Sequence, residues 1–271
     1  MGEIAVTQAS LFAKTVLPSI LGAALFVALA FPARAESDIA ISANANFTTD
    51  YVFRGITNSA EKPAVQPGLD LTYKEIFYAG IWGTNVDFGS DPKGQELASI
   101  EIDYWVGVAP TLGKWTVDVA AYYYAYPGAF DPDGEFDYLE IWTGVSRTFL
   151  NDKLTLKIYN YWSPENFGET GNNDVLELQY EWAFNDVWYF KPKLTGLVGH
   201  QWGDKSAGGF DYSYWNVGLV LGFNKKPELE LDIRYWDTGD FNGFTCPPSG
   251  VNACDERVVA SLKATFGAAE D

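Results

Sequence analysis

Hydrophobic and polar residues alternate one by one along much of this chain. From Asp38 to Gly55 the odd positions carry apolar or aromatic side chains, and most even positions carry polar ones. A period of two is typical of a β-strand with two different faces, whereas a helix repeats every 3.6 residues. The stretch therefore predicts a strand, but it does not say whether the apolar face meets a protein core or lipid.

The same alternation recurs eleven more times, so the sequence predicts twelve strands. Most are about 10 to 13 residues long, about the length that a tilted strand needs to cross a bilayer and about twice that of an ordinary globular strand. The predicted strands are residues 38–55, 64–73, 77–88, 97–109, 115–126, 137–149, 154–164, 174–184, 188–202, 212–223, 228–238 and 256–266.

The connections between these strands alternate between short and long. The short ones follow the even-numbered strands, and the long ones, rich in Gly, Pro, Asp and Asn, follow the odd-numbered strands. An up-and-down barrel with tight turns at one end and loops at the other has this asymmetry, whereas a sandwich or Greek key does not. We therefore predict an all-β protein, a closed antiparallel transmembrane β-barrel of about twelve strands.

The side-chain series along each strand indicates which face meets lipid. In strand 174–184, Leu176, Leu178 and Tyr180 alternate with Glu177 and Gln179. Twelve strands enclose more volume than the apolar series fills, so we expect the apolar series to face outward and the polar series inward. Aromatic residues of the apolar series that lie near strand ends, as in the girdles of membrane barrels, are Trp82, Trp115, Phe149, Trp162, Phe184, Trp202, Trp215 and Phe223.

The first 35 residues have the layout of a cleaved secretory signal peptide. Lys14 precedes an apolar run over 16–31, and Ala33 and Ala35 form an A-x-A site. Residues 36–271 then form the barrel, for which we expect export to the bacterial outer membrane and contact with its lipid. No later stretch approaches the length of a transmembrane helix.

The chain is acidic, with a net charge of −18, and loss of residues 1–35 changes this to −19. Such a charge argues against nucleic acid as a partner. The two cysteines, Cys246 and Cys254, lie close together in a long connection, and export allows them to oxidise. We predict a structural disulfide between them, and no metal site or cofactor.

Several segments resemble one known family. They are FTTDYVFRGIT, AVQPGLDLTYKEIFYAGIWGTNVDFG, EIDYWVGVAP, YYYAYPG, YNYWSPENFG, GLVGHQW and LDIRYWDT. Together they are similar to the TorF-type porin family of proteobacteria, whose function is not established. The resemblance implies an outer-membrane barrel and a diffusion channel, and it implies no substrate and no catalytic residue.

The polar series supplies candidate pore-lining residues with more carboxylates than cations. An acidic lining attracts cations, so we expect a modest cation preference. Acidic residues of one wall could oppose Arg54 and Arg257 on the other, or all could be paired or solvated without a selective role. The candidates are Arg54, Asp70, Asp87, Glu101, Asp103, Asp118, Glu140, Glu177, Glu181, Arg234 and Arg257.

Aromatic residues of the same inward series suggest surfaces on which sugars could stack, although they could equally fill and close the lumen. They are Trp105, Tyr122, Tyr124, Trp142, Tyr159, Tyr161 and Trp236.

An embedded enzyme is the competing class of function. Serine hydrolysis needs a histidine beside a serine, but the one histidine, His200, belongs to the apolar series. The acidic segment 130–137 is the best candidate for Ca²⁺, but a solvated loop explains it better. We therefore expect a non-enzymatic channel for passive diffusion of small hydrophilic solutes or cations. The alternatives are a closed interaction barrel with partner-binding loops and, third, a barrel-embedded hydrolase.

Overall fold

A computed structural model of the protein describes residues 38–132, 134–223, 227–239 and 253–267. Twelve long strands form one ring in which each pairs antiparallel with its neighbours along the chain. We number these twelve strands β1 to β12. Three additional two-residue strand segments, described below, are left unnumbered. The numbered strands are β1 Ile39–Thr48, β2 Ala64–Tyr73, β3 Phe77–Asn85, β4 Ile100–Val108, β5 Trp115–Ala125, β6 Tyr138–Phe149, β7 Leu154–Ser163, β8 Asn173–Ala183, β9 Phe190–Gly203, β10 Tyr212–Phe223, β11 Glu228–Gly239 and β12 Arg257–Phe266.

The first and last strands close the ring. Ala43 lies opposite Phe266, and the register continues to Thr48 opposite Ser261. Each of the twelve strands therefore pairs on both sides, and the sheet has no open edge strand. The predicted closed, twelve-stranded, antiparallel β-barrel is confirmed.

The two ends of the barrel differ as the connection lengths predict. We call one the turn end, where β1 begins and β12 finishes, and the other the loop end. Among the described residues, the connections 74–76, 109–114, 150–153 and 184–189 lie at the turn end, and 49–63, 86–99, 126–137, 164–172 and 204–211 lie at the loop end. Thr111–Leu112 adds a short pairing to the start of β5, and Phe167–Glu169 forms a short 3-10 helix in a loop.

The outward face is apolar, as the alternation predicts. Val106 and Val258 are 62% and 66% exposed on this face, whereas inward-facing Glu101 is 1% exposed. Several of the predicted girdle aromatics also lie exposed near strand ends, namely Trp115, Trp162, Phe184, Trp202 and Trp215. The prediction for Trp82 is wrong: it lies opposite Asp103 in the β3–β4 register and so shares the inward face of that residue.

The opening stretch is a strand only as far as Thr48. Beyond it the chain turns into the barrel, where Val52–Phe53 pairs with Ile56–Thr57 in a small hairpin. We call residues 51–58 the inner hairpin. Arg54 and Gly55, with φ of 50° and 84°, form its two-residue turn, the conformation that a tight hairpin requires.

Some sequence predictions lie outside the described residues. These are the signal peptide, residues 1–35, and Cys246, so its pairing with the buried Cys254 also stays a prediction. Within the part of the chain that the structure describes, no helix is both long enough and apolar enough to span a membrane.

Glycines directly opposite aromatic residues shape the barrel wall. A side chain at Gly144 would lie 2.4 Å from the ring of Tyr159, which faces it from the neighbouring strand. The missing Cβ lets the ring lie flat on the backbone, a known device in curved sheets. The same direct pairing occurs at Gly80 with Trp105, Gly107 with Tyr78, Gly199 with Tyr214 and, on the outward face, Gly196 with Tyr180.

We predict that Gly144→Ala lowers the free energy of unfolding by about 1–3 kcal/mol, because the new methyl group pushes the Tyr159 ring away from the backbone of β6. Urea unfolding of the refolded barrel in detergent micelles measures the effect. The matched control is Gly222→Ala, whose methyl group meets its nearest atoms at 3.5 Å, an ordinary contact. Equal stability of the two variants would contradict the packing argument.

Candidate functional site

The inner hairpin lies inside the loop end of the barrel and touches several walls. Phe53 packs against Tyr124 of β5 with 5.9 Å between ring centroids. On another side, a side chain at Gly55 would lie 2.4 Å from Thr238 of β11 and 3.0 Å from Tyr214 of β10. The hairpin therefore spans much of the cross-section, and Gly55 is required both by its positive φ and by this close approach.

Arg54, at the tip of the inner hairpin, makes a bidentate ion pair with Glu140 of β6. Its two terminal nitrogens donate to the two carboxylate oxygens over 2.7 and 2.9 Å. The side chains are 6% and 0% exposed. The guanidinium also lies 4.6 Å from the ring centroid of Phe53 and 4.9 Å from that of Tyr161. Aromatic faces and a paired carboxylate together stabilise a cation that has little contact with water.

Glu101 and Asp103, on β4, are buried next to the start of the same hairpin. The Tyr51 hydroxyl donates to Glu101 Oε1 over 2.8 Å, and the Tyr51 ring contacts Trp82 edge-on at 5.4 Å. Asp103 is 8% exposed. In contrast to Glu140, these two carboxylates have no cationic partner within the described residues, and Tyr51 supplies a neutral donor instead.

Glu177 of β8 repeats this arrangement on another wall. Its carboxylate accepts hydrogen bonds from the hydroxyls of Tyr161 and Tyr214 over 3.0 and 2.5 Å. The amide of Gln179 donates to it over 2.6 Å. Phenol and amide donors therefore stabilise a buried negative charge without neutralising it.

Buried aromatic residues fill the lumen between these charged groups. One cluster contains Tyr51, Tyr124, Tyr126 and Tyr138, and Trp142 packs against it. Trp142 also packs against a second cluster that consists of Tyr161, Val175, Tyr212 and Tyr214. Since water has almost no access to Glu140, Val175 or Tyr214, the loop-end half of the lumen is packed at this level.

Arg257 anchors the base of the connection that carries the inner hairpin. It donates to Asp50 over 3.0 Å and lies 3.6 Å from Glu61. Asp50 also accepts from Thr57 and Ser59 over 2.5 and 2.9 Å. Of the two alternatives for these arginines, the geometry fits the paired one, because Arg54 crosses the lumen to pair with Glu140 while Arg257 pairs beside its own strand.

The remaining candidates lie mostly in the turn-end half of the barrel. Asp70 accepts from Asn44 over 3.1 Å, and Asp118 accepts from the hydroxyls of Tyr78 and Tyr159 over 2.6 and 2.8 Å. Glu181 lies close to the turn-end finish of β8, 3.3 Å from Lys193.

Arg234 of β11 donates hydrogen bonds from all three of its guanidinium nitrogens. It donates to Asp232 through Nε and Nη2 over 3.1 and 2.8 Å, to Thr195 over 2.7 Å, and to Asn216.

Asp87 is not a lumen residue of a strand, because β3 already ends at Asn85. It lies in the loop that follows and forms an ion pair with Lys62. The hydrogen bond from Lys62 holds the pKa of Asp87 below its usual range. The residue therefore belongs to the loop-end surface.

Sequence reasoning missed several residues of the packed lumen. Tyr138 has the parity of Glu140, and Tyr212 and Tyr214 have that of Asn216, so the alternation within their own strands contained the signal. Tyr51 was assigned outward because the first strand was extended too far. The Arg54-Gly55 pair, a turn signal inside an alternating stretch, could have marked the break.

His200 does lie beside a serine, on the outward face. Its Nδ1 is 2.7 Å from Ser213 Oγ, directly across the β9–β10 pair. Within the described ranges no carboxylate lies within ion-pair distance of the imidazole, and the nearby Asp211 pairs with Lys205 over 2.7 Å. Likewise, no group of three His, Cys, Asp or Glu residues among the described positions has the geometry to hold a metal ion. In the segment 130–137, Asp133 lies outside the described residues.

Comparison with solved structures finds distant similarity to outer-membrane barrels. The NanC porin matches with a TM-score of 0.47 and 11% identity, over 84% of this chain and 99% of that one. OmpF from Salmonella typhi, solved with daunomycin, matches with a TM-score of 0.40 and 11% identity, over 86% and 99%. Similarity at this level does not identify a function.

Sequence comparison places the chain in a family. No functionally curated protein matches it. A family model matches residues 32–266, which include the whole barrel and both strands that close it. The chain therefore belongs to Gcw_chp, a family of bacterial proteins of unknown function.

Proposed function

We propose that the protein is a porin-like channel of the bacterial outer membrane, through which small hydrophilic solutes diffuse passively. The observation that carries the proposal is the arrangement of the two faces. Large apolar side chains are exposed outward on every strand while charged and hydrogen-bonding side chains point inward. A barrel in water would have the opposite arrangement, whereas lipid outside and aqueous solutes inside suit this one. The resemblance to the TorF-type porin family implies the same function.

The orientation in the membrane follows from the connections. Outer-membrane barrels place short turns in the periplasm and long loops outside the cell. We therefore assign the turn end to the periplasm and the loop end to the exterior, with export directed by the signal peptide over residues 1–35. The inner hairpin then closes the channel from the external side, and solutes pass when it moves away from the lumen.

We further propose a modest preference for cations. Among the described residues, the buried charged side chains in the loop-end half are the carboxylates of Asp50, Glu101, Asp103, Glu140 and Glu177 and the guanidinium groups of Arg54 and Arg257. The low-dielectric wall strengthens the field of this excess negative charge. Cations are therefore favoured in the loop-end half of the lumen.

A closed interaction barrel with partner-binding loops is the second candidate. The complete burial of Glu140 and Tyr214 favours it, because a permanently open pore would leave such side chains in contact with water. Stepwise conductance of the purified protein in a planar bilayer separates the two. A protein that never conducts, even after the hairpin is released, is a closed barrel.

We predict that Arg54→Gln raises the frequency or size of the conductance steps several-fold, because breaking a buried ion pair costs about 3–5 kcal/mol and frees the hairpin. Planar-bilayer recording measures this. The control is Lys62→Gln in the same connection, which removes an exposed pair with Asp87 and leaves conductance unchanged, since such pairs contribute little. Identical recordings from both variants would refute the hairpin as the closing element.

We predict that Glu101→Gln combined with Glu177→Gln lowers the ratio of K⁺ to Cl⁻ permeability towards one. The glutamine at 101 can still accept from Tyr51, and the carbonyl oxygen of the glutamine at 177 can still accept from one of its two tyrosines. The side-chain volume is kept while two negative charges are lost. Reversal potentials in a salt gradient give the ratio. The control is Glu75→Gln with Asp152→Asn, two exposed turn residues; if only this control changes the ratio, the buried carboxylates do not set the preference.

A further inference from the structure

A cavity of about 320 Å³ lies in the turn-end half of the lumen, between β7 and β11. A water molecule occupies about 30 Å³ of liquid, so the cavity has room for a solute of on the order of ten non-hydrogen atoms. Its charged lining consists of Lys157, Glu181, Lys193, Glu230 and Arg234. Some of these charged groups are paired with each other or with neighbours, and others are not.

Two of the three cationic side chains, Arg234 and Lys193, already form ion pairs. Arg234 donates to Asp232 through Nε and Nη2, to Thr195 also through Nη2, and to Asn216 through Nη1. Lys193 lies 3.3 Å from Glu181. These pairs neutralise themselves, and a solute that bound them would have to break existing hydrogen bonds.

Lys157 and Glu230 are the exceptions. Neither forms an ion pair or side-chain hydrogen bond with any other described residue, although both line the cavity. Glu230 lies opposite Lys263 in the β11–β12 register, but no ion pair joins them. One positive and one negative charge therefore face the same space without partners.

The two charges come from different sides of the cavity. Lys157 projects from β7 and Glu230 from β11, with β8, β9 and β10 between them. A simple anion gains attraction from Lys157 but meets repulsion from Glu230, and a simple cation the reverse. A solute that carries both charges gains at both ends.

We propose that this cavity binds zwitterionic solutes of amino-acid size, with the solute carboxylate at Lys157 and the solute ammonium at Glu230. The inference rests on the proposed function, since it names the solute class that the lumen selects. It also divides the lumen into two levels: the loop-end half sets a general charge preference, and the turn-end cavity recognises one class of molecule.

The test is equilibrium binding to the full-length mature barrel in detergent, measured by calorimetry with 4-aminobutyrate. Butyrate and butylammonium are the single-charge controls of matched size. We expect 4-aminobutyrate to bind on the order of tenfold more tightly than either. Comparable affinities for all three would overturn the proposal.

Variants of Lys157 and Glu230 test which charged group of the solute each residue binds. Lys157→Met is expected to lose the zwitterion preference and to favour butylammonium, while Glu230→Gln is expected to favour butyrate. Lys157→Arg keeps the charge and should keep the preference, which separates a loss of charge from a loss of folding. Lys191→Met, an exposed lysine at the turn end of β9 that does not line the cavity, should change nothing. If Lys157→Met and Lys191→Met behave alike, the assignment is wrong.

The binding test and the conductance test can fail separately. A barrel that conducts in bilayers but does not prefer 4-aminobutyrate refutes only the solute class. One that binds 4-aminobutyrate but does not conduct refutes only the channel.

Discussion

Neither Arg54 nor Glu140 has appreciable contact with water, so each charge is tolerated in the interior mainly because the other lies 2.7 Å away. The inner hairpin is therefore tied to the far side of the ring. Around this pair, rings from β5, β7 and β10 fill the remaining space. A buried carboxylate without a cation, such as Glu177, instead relies on tyrosine hydroxyls. Hydrogen bonding to neutral donors thus keeps the loop-end half acidic and packed at once.

The two halves of the lumen follow different electrostatic rules. At the loop end, carboxylates outnumber cations and are shielded from solvent. At the turn end, cations and carboxylates are more evenly matched, and some form ion pairs, as Lys193 does with Glu181 and Arg234 with Asp232. A net charge of −18 for the whole chain therefore says little about any single level of the interior. In the proposed channel, the charges around a solute would depend on its position along the strands.

Much of the barrel could be predicted from the sequence, because alternation within strands and the lengths of connections are local properties. Strand number, the closing pair and the inward position of Glu101, Asp118 and Glu140 all follow from them. The course of a long connection does not, since it depends on side chains that are distant in sequence. Arg54 was correctly placed inside, but its partner was not predictable, because no local pattern shows that residues 49–63 fold into the lumen. Tyr51 was assigned to the outward face for the same reason, since it belongs to the segment that folds into the lumen. Trp82 was assigned outward because its position in the alternation was considered without the register of β4.

The ion pairs of the first long connection also bear on the order of folding. Arg54 and Glu140 are 86 positions apart, and Arg257 and Asp50 are 207 apart. Contacts this distant in sequence form late, because the chain entropy of the intervening segment must be lost first. The pair that involves Arg257 needs the last strand, and the pair across the lumen needs a sheet already curled enough to bring β6 opposite β1. A hairpin held by both pairs is therefore a mark of a completed ring, and a barrel that lacks its final strand cannot yet close its lumen in this way.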